Sequence, residues 1–463
     1  MAAAGRAGQH RGDFVPVKLR TAALAGILAL APVAAAAQSL PSPFISDQAT
    51  LFRSDVAGVR PAPDAGEEGT RLGSLKLTAS LGATAAYDSN ILNLPNLADV
   101  PALAPLVAGT GLDLPLDDAV FQLDPKVSLS SDWGRHALQL SANGRIDRYA
   151  NNGFNDYETW AVTARGRLDI GASTELHADA AVGRDVEARG LSGLFFLFGD
   201  PISFREDRVG LGLRTERGAL RASLSGGWLQ RRYDDFQLLG AAPIALDYRD
   251  IEIWSVAPQL GLRVSPGLDV FVRGNIGFTR SLRSAAQLAA VGASNRDADG
   301  YAIEAGVRGE ITALVVVEIA AGWQKRDFAG QSFADYDGIT YDATLDWYPT
   351  PLISLRLRSR QDFENSGIAV VPGIRLRDTS AQLYYEATRA LLVSAGVAWQ
   401  NRDYRGAAIT TDTWEISARA EYRLNRHLSG ALFVRYRDRT SNDRTILPAF
   451  SGTIVGVALE TRL

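Results

Sequence analysis

The sequence predicts an all-β chain, a single transmembrane antiparallel β-barrel of about 18 strands, with about 16 as the nearest alternative. Three observations predict it. Apolar and polar residues alternate with period two over most of the chain. Short turn signals recur with longer connections between them. Tryptophans stand at two levels along the alternating segments.

The alternation starts near Leu72. Over Glu175–Arg184, Leu176, Ala178, Ala180 and Val182 share one face, opposite Glu175, His177 and Asp179. Over Ser417–Leu424, Ala418, Ala420, Tyr422 and Leu424 oppose Ser417, Arg419, Glu421 and Arg423, and leucines alternate with arginines over Ser354–Arg358. A soluble sandwich also alternates. So many charged faces would leave unpaired charge in a dry core, however, and a water-filled lumen removes that cost.

The breaks fall at Trp133-Gly134, Gly171-Ala172, Arg217-Gly218, Pro266-Gly267, Thr312-Ala313, Pro349-Thr350-Pro351, Arg389-Ala390 and Arg426-His427. Longer connections lie between them, such as 188–201 and 281–296. Short periplasmic turns and long extracellular loops give this rhythm in outer-membrane barrels. One strand on each side of the eight breaks gives sixteen, and a first strand from near Gly73 and a last one ending at Leu463 bring the count to about 18, half running up and half down, with both termini periplasmic.

One phrase recurs: W-Q-K-R-D-F-A-G at 323–330, W-Q-N-R-D-Y-R-G at 399–406 and, more loosely, W-L-Q-R-R-Y-D-D at 228–235. Trp399 follows Val393, Ala395 and Val397 on one face of an upward strand. Trp323 and Trp228 hold the same place on theirs. Trp160, Trp254 and Trp414 stand near the tops of downward strands, and Trp133 and Trp347, with Tyr348, beside short turns. These levels are the membrane-interface aromatic belts of a barrel, and the Arg-Asp that follows marks its wet rim.

The 463 residues fit one large barrel. Arg6, Arg11, Lys18 and Arg20 precede an apolar run at 21–31 and then Ala35-Ala36-Ala37, the pattern of a secretory signal peptide over 1–37 cleaved near Ala37. Residues 38–72 read as a flexible periplasmic segment and 73–463 as the barrel. The net charge of −4 excludes general nucleic-acid affinity. The absence of cysteine excludes disulfides, thiolate metal sites and a thiol nucleophile.

The inward faces carry Arg145, Arg167, Arg214, Arg221, Arg263, Arg273, Arg308, Arg356, Arg358, Arg419 and Arg423, with Glu304 and Glu421 among them. Two roles stay open for them: contacts to an anion or acidic glycan, or a mutually paired ladder that stiffens and hydrates the wall. No enzyme is expected. His136 and His427 fall at periplasmic turns and His177 low on a strand, and there is no G-x-S-x-G, H-E-x-x-H or P-loop. No cofactor or metal is expected, and Asp297–Gly300 and Asp335–Gly338 read as solvated acidic loops. The apolar stretches 94–107 and 193–199 are expected to fold inward or meet a partner, with 89–118 partly plugging the lumen.

A-A-Y-D-S-N-I-L at 85–92 is the remaining signature. Through Tyr87, Asp88, Asn90 and Ile91, and the arginine- and aromatic-rich hairpins that follow, the chain resembles the "putative beta-barrel porin 2" family. The resemblance implies a Gram-negative outer-membrane location and a role in surface exopolysaccharide export, and brings no catalytic residues. The alternatives are a general porin and a structural or adhesive barrel with a plugged lumen. Expected partners are outer-membrane lipids and lipopolysaccharide, acidic polysaccharide with its export machinery, and the barrel-assembly machinery. The chain closes on Leu463, where many barrels carry an aromatic residue.

Overall fold

The protein is described from a computed structural model, over residues 57–58, 69–96, 116–190, 199–237, 242–330, 333–368, 371–443 and 446–463. A short strand β1 (Thr70–Leu72) precedes β2 (Leu75–Asp88), β3 (Asp118–Ser131), β4 (Ala137–Tyr149), β5 (Tyr157–Ile170), β6 (Thr174–Val186) and β7 (Ser203–Arg217). There follow β8 (Leu220–Tyr233), β9 (Ile251–Ser265), β10 (Leu268–Ser281), β11 (Ala298–Thr312), β12 (Val315–Phe328) and β13 (Tyr336–Thr350). The chain ends with β14 (Ile353–Asn365), β15 (Gly373–Glu386), β16 (Leu391–Arg405), β17 (Ile409–Arg423), β18 (Leu428–Ser441) and β19 (Phe450–Arg462). From β2 to β19 each strand pairs antiparallel with the next, and β19 returns to β2 from Ile454↔Asp88 to Arg462↔Ser80. The result is a closed 18-stranded barrel.

Side chains alternate across the wall. On β9, Trp254, Val256, Leu260 and Leu262 are exposed outward while Ile253 and Ser255 are buried inward. A surface of leucine, valine and tryptophan facing out around a charged interior inverts a soluble protein, and only lipid makes that arrangement favourable. Each of the eight short breaks joins a hairpin at one end, periplasmic in barrels of this kind. Gly218 and Gly267 adopt φ of 61° and 83° there, the left-handed conformation that the tightest hairpins need.

The closing seam is reinforced at both ends. β19 stops at Ser80, and β1 covers the remaining edge of β2 through Thr70↔Leu77 to Leu72↔Leu75. That covers most of the free edge of β2. At the outer end, Asn90 is buried. Its Nδ2 donates to Leu94 O and Ser451 O (both 2.8 Å), and its Oδ1 accepts from Leu94 N (3.0 Å). The Tyr87-Asp88-Ser89-Asn90-Ile91 signature is thus a clasp between the first and last barrel strands.

Several local features differ from expectation. β16 and β17 are joined outside by residues 406–408 alone, because Gly406 (φ 80°) permits an immediate reversal. The stretch 281–296 contains a helix α1 (Ala285–Ala290), started by a capping box between Ser284 and Gln287. The expected acidic loops are strand starts: Ala298–Gly300 belong to β11 and Tyr336–Gly338 to β13. Asp297 and Asp335 instead accept from Ser281 N (2.7 Å) and Phe328 N (2.9 Å), fixing the preceding strand ends. Residues 1–37, and the apolar stretches 94–107 and 193–199 apart from 94–96 and Gly199, lie outside the described residues. So does most of 89–118, although Ile91, Leu92 and Leu94 at its start are buried.

Within 38–72, Ala57 and Gly58 rest inside the barrel at its short-turn end. Ala57 N donates to Pro351 O (3.1 Å), Ser354 Oγ donates to Ala57 O (2.5 Å), and Gly58 lies against the Tyr384 ring.

Candidate functional site

The strand register brings inward charges of opposite sign face to face. Arg273 stands opposite Glu304, Arg308 opposite Glu318 and Arg356 opposite Asp346. The pairs close at 2.5 Å, 2.7 Å and, bidentately, 2.6 and 2.8 Å. Glu318 also receives Arg273 at 3.4 Å, so one carboxylate serves two guanidiniums. Arg145–Asp124 (3.2 Å) and Arg358–Asp342 (2.8 Å) also join neighbouring strands, and Arg167–Asp169 (2.9 Å), Arg214–Glu216 (2.7 Å) and Arg419–Glu421 (3.5 Å) are pairs two residues apart along one strand. Arg221 reaches across Gly261 of β9, which has no side chain to block it, to pair with Asp269 on β10. Arg263 approaches the same carboxylate at 3.6 Å. Among the described residues Arg423 forms no ion pair. Ion pairs of this kind, hydrated on the lumen side, each contribute about 0.2–1 kcal/mol, so the ladder sets wall shape and local potential more than stability.

Part of the ladder surrounds a cavity. Arg214, Arg221, Arg273, Glu304, Arg308 and Arg358 line a space of about 480 Å³ against β6–β14, with Gln259, Asn275 and Thr340. Arg145, Arg167, Arg263, Arg356, Arg419, Arg423 and Glu421 lie elsewhere on the inner wall. Among the described residues no trio of His, Asp or Glu converges as a metal site.

The outer mouth is crossed by loops held by buried arginines. Arg296, between β10 and β11, donates to Ser366 O and Ile368 O, between β14 and β15, both at 2.5 Å. Arg439 of β18 donates to Pro448 O (3.0 and 2.8 Å) and, across the mouth, to Gly190 O (2.6 Å). Arg249 pairs with Glu187 and lies 4.1 Å over the Tyr233 ring. Burial opposes its charge, but Glu187 and Tyr233 outweigh that and raise its pKa. Burial, with Arg249 nearby, lowers Arg296 to about 10, so it is still a cation at neutral pH. A cation buried against carbonyls makes strong, directed hydrogen bonds.

Apolar side chains close in around these clasps: Ile368, Val371, Tyr404, Ile409 and Leu447 in one cluster, Phe204, Tyr233, Phe236 and Leu246 in another. Sequence reasoning missed Arg249, Arg296 and Arg439. Their signal was the set of isolated apolar residues in the outer loops, Leu246, Ile368, Val371 and Leu447, which an exposed loop has no reason to carry.

The tryptophans form the two rims of the lipid-facing band. Trp228 and Trp254 pair across β8 and β9 with ring centres 6.2 Å apart, and Trp399 and Trp414 across β16 and β17 at 6.4 Å. Trp160 and Trp323 are exposed at the same outer rim, and Trp133 and Trp347 at the short-turn rim.

Several solved structures are similar to this chain. The outer membrane protein opdK of Pseudomonas aeruginosa aligns with 84% of this chain and 99% of its own, at 14% identity and a TM-score of 0.41. OccAB4 of Acinetobacter baumannii aligns with 84% and 98%, at 11% identity and a TM-score of 0.42. A mutant of the ferric enterobactin receptor PfeA of P. aeruginosa aligns with 83% and 80%, at 8% identity and a TM-score of 0.41. No curated protein matches the sequence. The family described as "Putative beta-barrel porin 2" matches residues 110–463, and with the closed barrel, its lipid-facing band and its charged lumen this chain belongs to that family of outer-membrane porin-like barrels.

Proposed function

We propose that the barrel is a gated pore for small polar solutes. The observation that carries this reading is the lumen cavity of about 480 Å³ lined by paired arginines and carboxylates. It has the size of a site for one small ligand and offers donors and acceptors on every side. In transport the loops clasped by Arg296 and Arg439 swing aside. The ladder supplies alternating charge along the path, which suits carboxylate- and hydroxyl-bearing solutes. Residues 1–37 act as a cleaved signal peptide, which N-terminal sequencing of the mature protein checks.

Surface polysaccharide is the second cargo class, favoured by the arginine-rich lumen and by the family resemblance. It requires the same clasps to open further. Planar-bilayer conductance tests both. The wild type should conduct in small or brief steps, and Arg296→Ala with Arg439→Ala should give larger, longer ones. Block by an acidic polysaccharide favours the export role, and block by small dicarboxylates alone favours the porin role. Silence of both proteins, with insertion and folding verified, overturns the pore and leaves a structural barrel.

A further inference from the structure

At the outer end of the wall two neighbouring strands part. β13 and β14 pair from Thr350↔Ile353 to Tyr341↔Gln361 and no further. Yet β13 stays paired with β12 to Tyr336, and β14 with β15 to Asn365. The tip of β14 is drawn inward: Phe363, Glu364 and Ser366 are 2, 1 and 0% exposed. Arg326 Nη1 donates to Asn365 Oδ1 (2.6 Å), Arg296 holds Ser366 O, and the Tyr336 ring is stacked on Phe363 at 4.1 Å. Side chains replace the missing ladder. Gln361 Nε2 donates to Ile339 O (2.6 Å) and Thr340 Oγ1 to Gln361 O (3.1 Å). With its amide oriented to match its neighbours, Gln324 of β12 donates to Asp362 Oδ1 and accepts from Phe363 N, both at 2.9 Å. Backbone polar groups left unpaired at this depth need such substitutes.

Outside this parting, between Trp323 and Trp399, lies a shallow recess of about 760 Å³ lined in part by Arg375, Arg377 and Arg405. Its depth follows from the register. Trp399 stands opposite Thr379. Arg377 and Arg375 lie two and four residues farther out on the same face, about 7 and 13 Å along the strand and roughly 5 and 10 Å above the belt once the strand tilt is allowed for. That is headgroup depth on a surface that faces lipid. The charges there are incompletely matched. Asp403 Oδ2 takes both Arg375 Nη2 (2.7 Å) and Arg405 Nη1 (3.2 Å). Arg377 uses Nε on Gln361 Oε1 (2.7 Å) and makes no ion pair among the described residues. Asp337 is the one carboxylate among the recess-lining residues.

We propose that this recess binds the phosphate of an outer-leaflet glycolipid headgroup, with Arg375, Arg377 and Arg405 as donors and Trp323 and Trp399 against its sugars. Guanidiniums pair bidentately with phosphate, and the short supply of carboxylates leaves donors free for it. The proposal does not depend on what the lumen carries.

The test is binding of bis-phosphorylated lipid A, of its dephosphorylated form and of inorganic phosphate to the full barrel in detergent, read by native mass spectrometry. Arg377→Gln with Arg405→Gln should weaken lipid A binding about ten-fold or more, the loss expected for two charge-assisted hydrogen bonds. The wild type should bind the dephosphorylated lipid as poorly as the variant binds lipid A, and Arg377→Lys with Arg405→Lys should recover part of the affinity. Heat-modifiable gel mobility confirms that each variant is folded, and Arg205→Gln, on β7 at the Trp160 level and away from the recess, should keep full affinity. Equal lipid A binding by wild type and the double Gln variant overturns the proposal. So does tight binding of the dephosphorylated lipid, or of inorganic phosphate as strongly as lipid A, which marks a site for a solution anion. Conductance, which tests the pore, is a separate readout.

Discussion

Asn90 closes the barrel with one side chain. Three hydrogen bonds join it to Leu94 and Ser451, so it fixes a turn and links the first strand of the ring to the last. Asn90→Ala leaves buried carbonyls without a donor and should cost about 1–3 kcal/mol, read as a lower urea midpoint for the refolded protein. An unchanged midpoint would mean that the ladder from Ile454↔Asp88 holds the seam alone. Glu318 has a comparable place in the lumen, between Arg273 (3.4 Å) and Arg308 (2.7 Å). Glu318→Gln leaves two guanidiniums facing the cavity with less opposing charge. In a salt gradient the reversal potential of the open pore should shift toward anions, and no shift would place the conducting path away from this wall.

Among the elements, the hairpins are governed locally and the outer connections are not. Turn residues and period-two alternation are enough to place a strand and choose its outward face. The outer loops draw their order from partners on distant strands, as Arg439 of β18 does from Gly190 after β6. The N-terminal segment behaves in the same way. Gly58 has φ of 82°, and a Cβ there would fall 2.6 Å from Tyr384 Cγ. Gly58→Ala should therefore release the segment from β14 and β15, seen as faster cleavage by a protease added on the short-turn side while the barrel band stays intact. Cleavage at the wild-type rate would show that the backbone hydrogen bonds at Ala57 suffice to hold it.

At the scale of the whole molecule, inward-folded loops lie at one end, Ala57–Gly58 at the other, and the charge-lined cavity between them. For the proposed pore, the outer clasps and the Ala57–Gly58 contact are therefore the places where gating is tested. Opening both ends, by combining Arg296→Ala with deletion of residues 38–58, should give a larger conductance than either change alone. An effect no larger than the loop variant's would assign gating to the outer mouth.

What the sequence determined by itself is the wall: the number of strands, the position of each short turn, the two tryptophan levels and the side of each strand that meets lipid. These follow from signals that are local and repeat along the chain, since the membrane asks the same of every strand. The resemblance carried by Tyr87, Asp88, Asn90 and Ile91 pointed to the family, but not to the clasp that Asn90 forms. The inward arginines were legible as residues. The pairing of Arg273 with Glu304 depends on register, and that of Arg221 with Asp269 also on a glycine in the strand between. The loop clasps, the cavity they cover and the parting of β13 from β14 were decided only by the tertiary structure. They join residues as far apart as Arg439 and Gly190, or Arg296 and Ile368, and such contacts exist only once the ring has closed and set which loops face each other across the mouth.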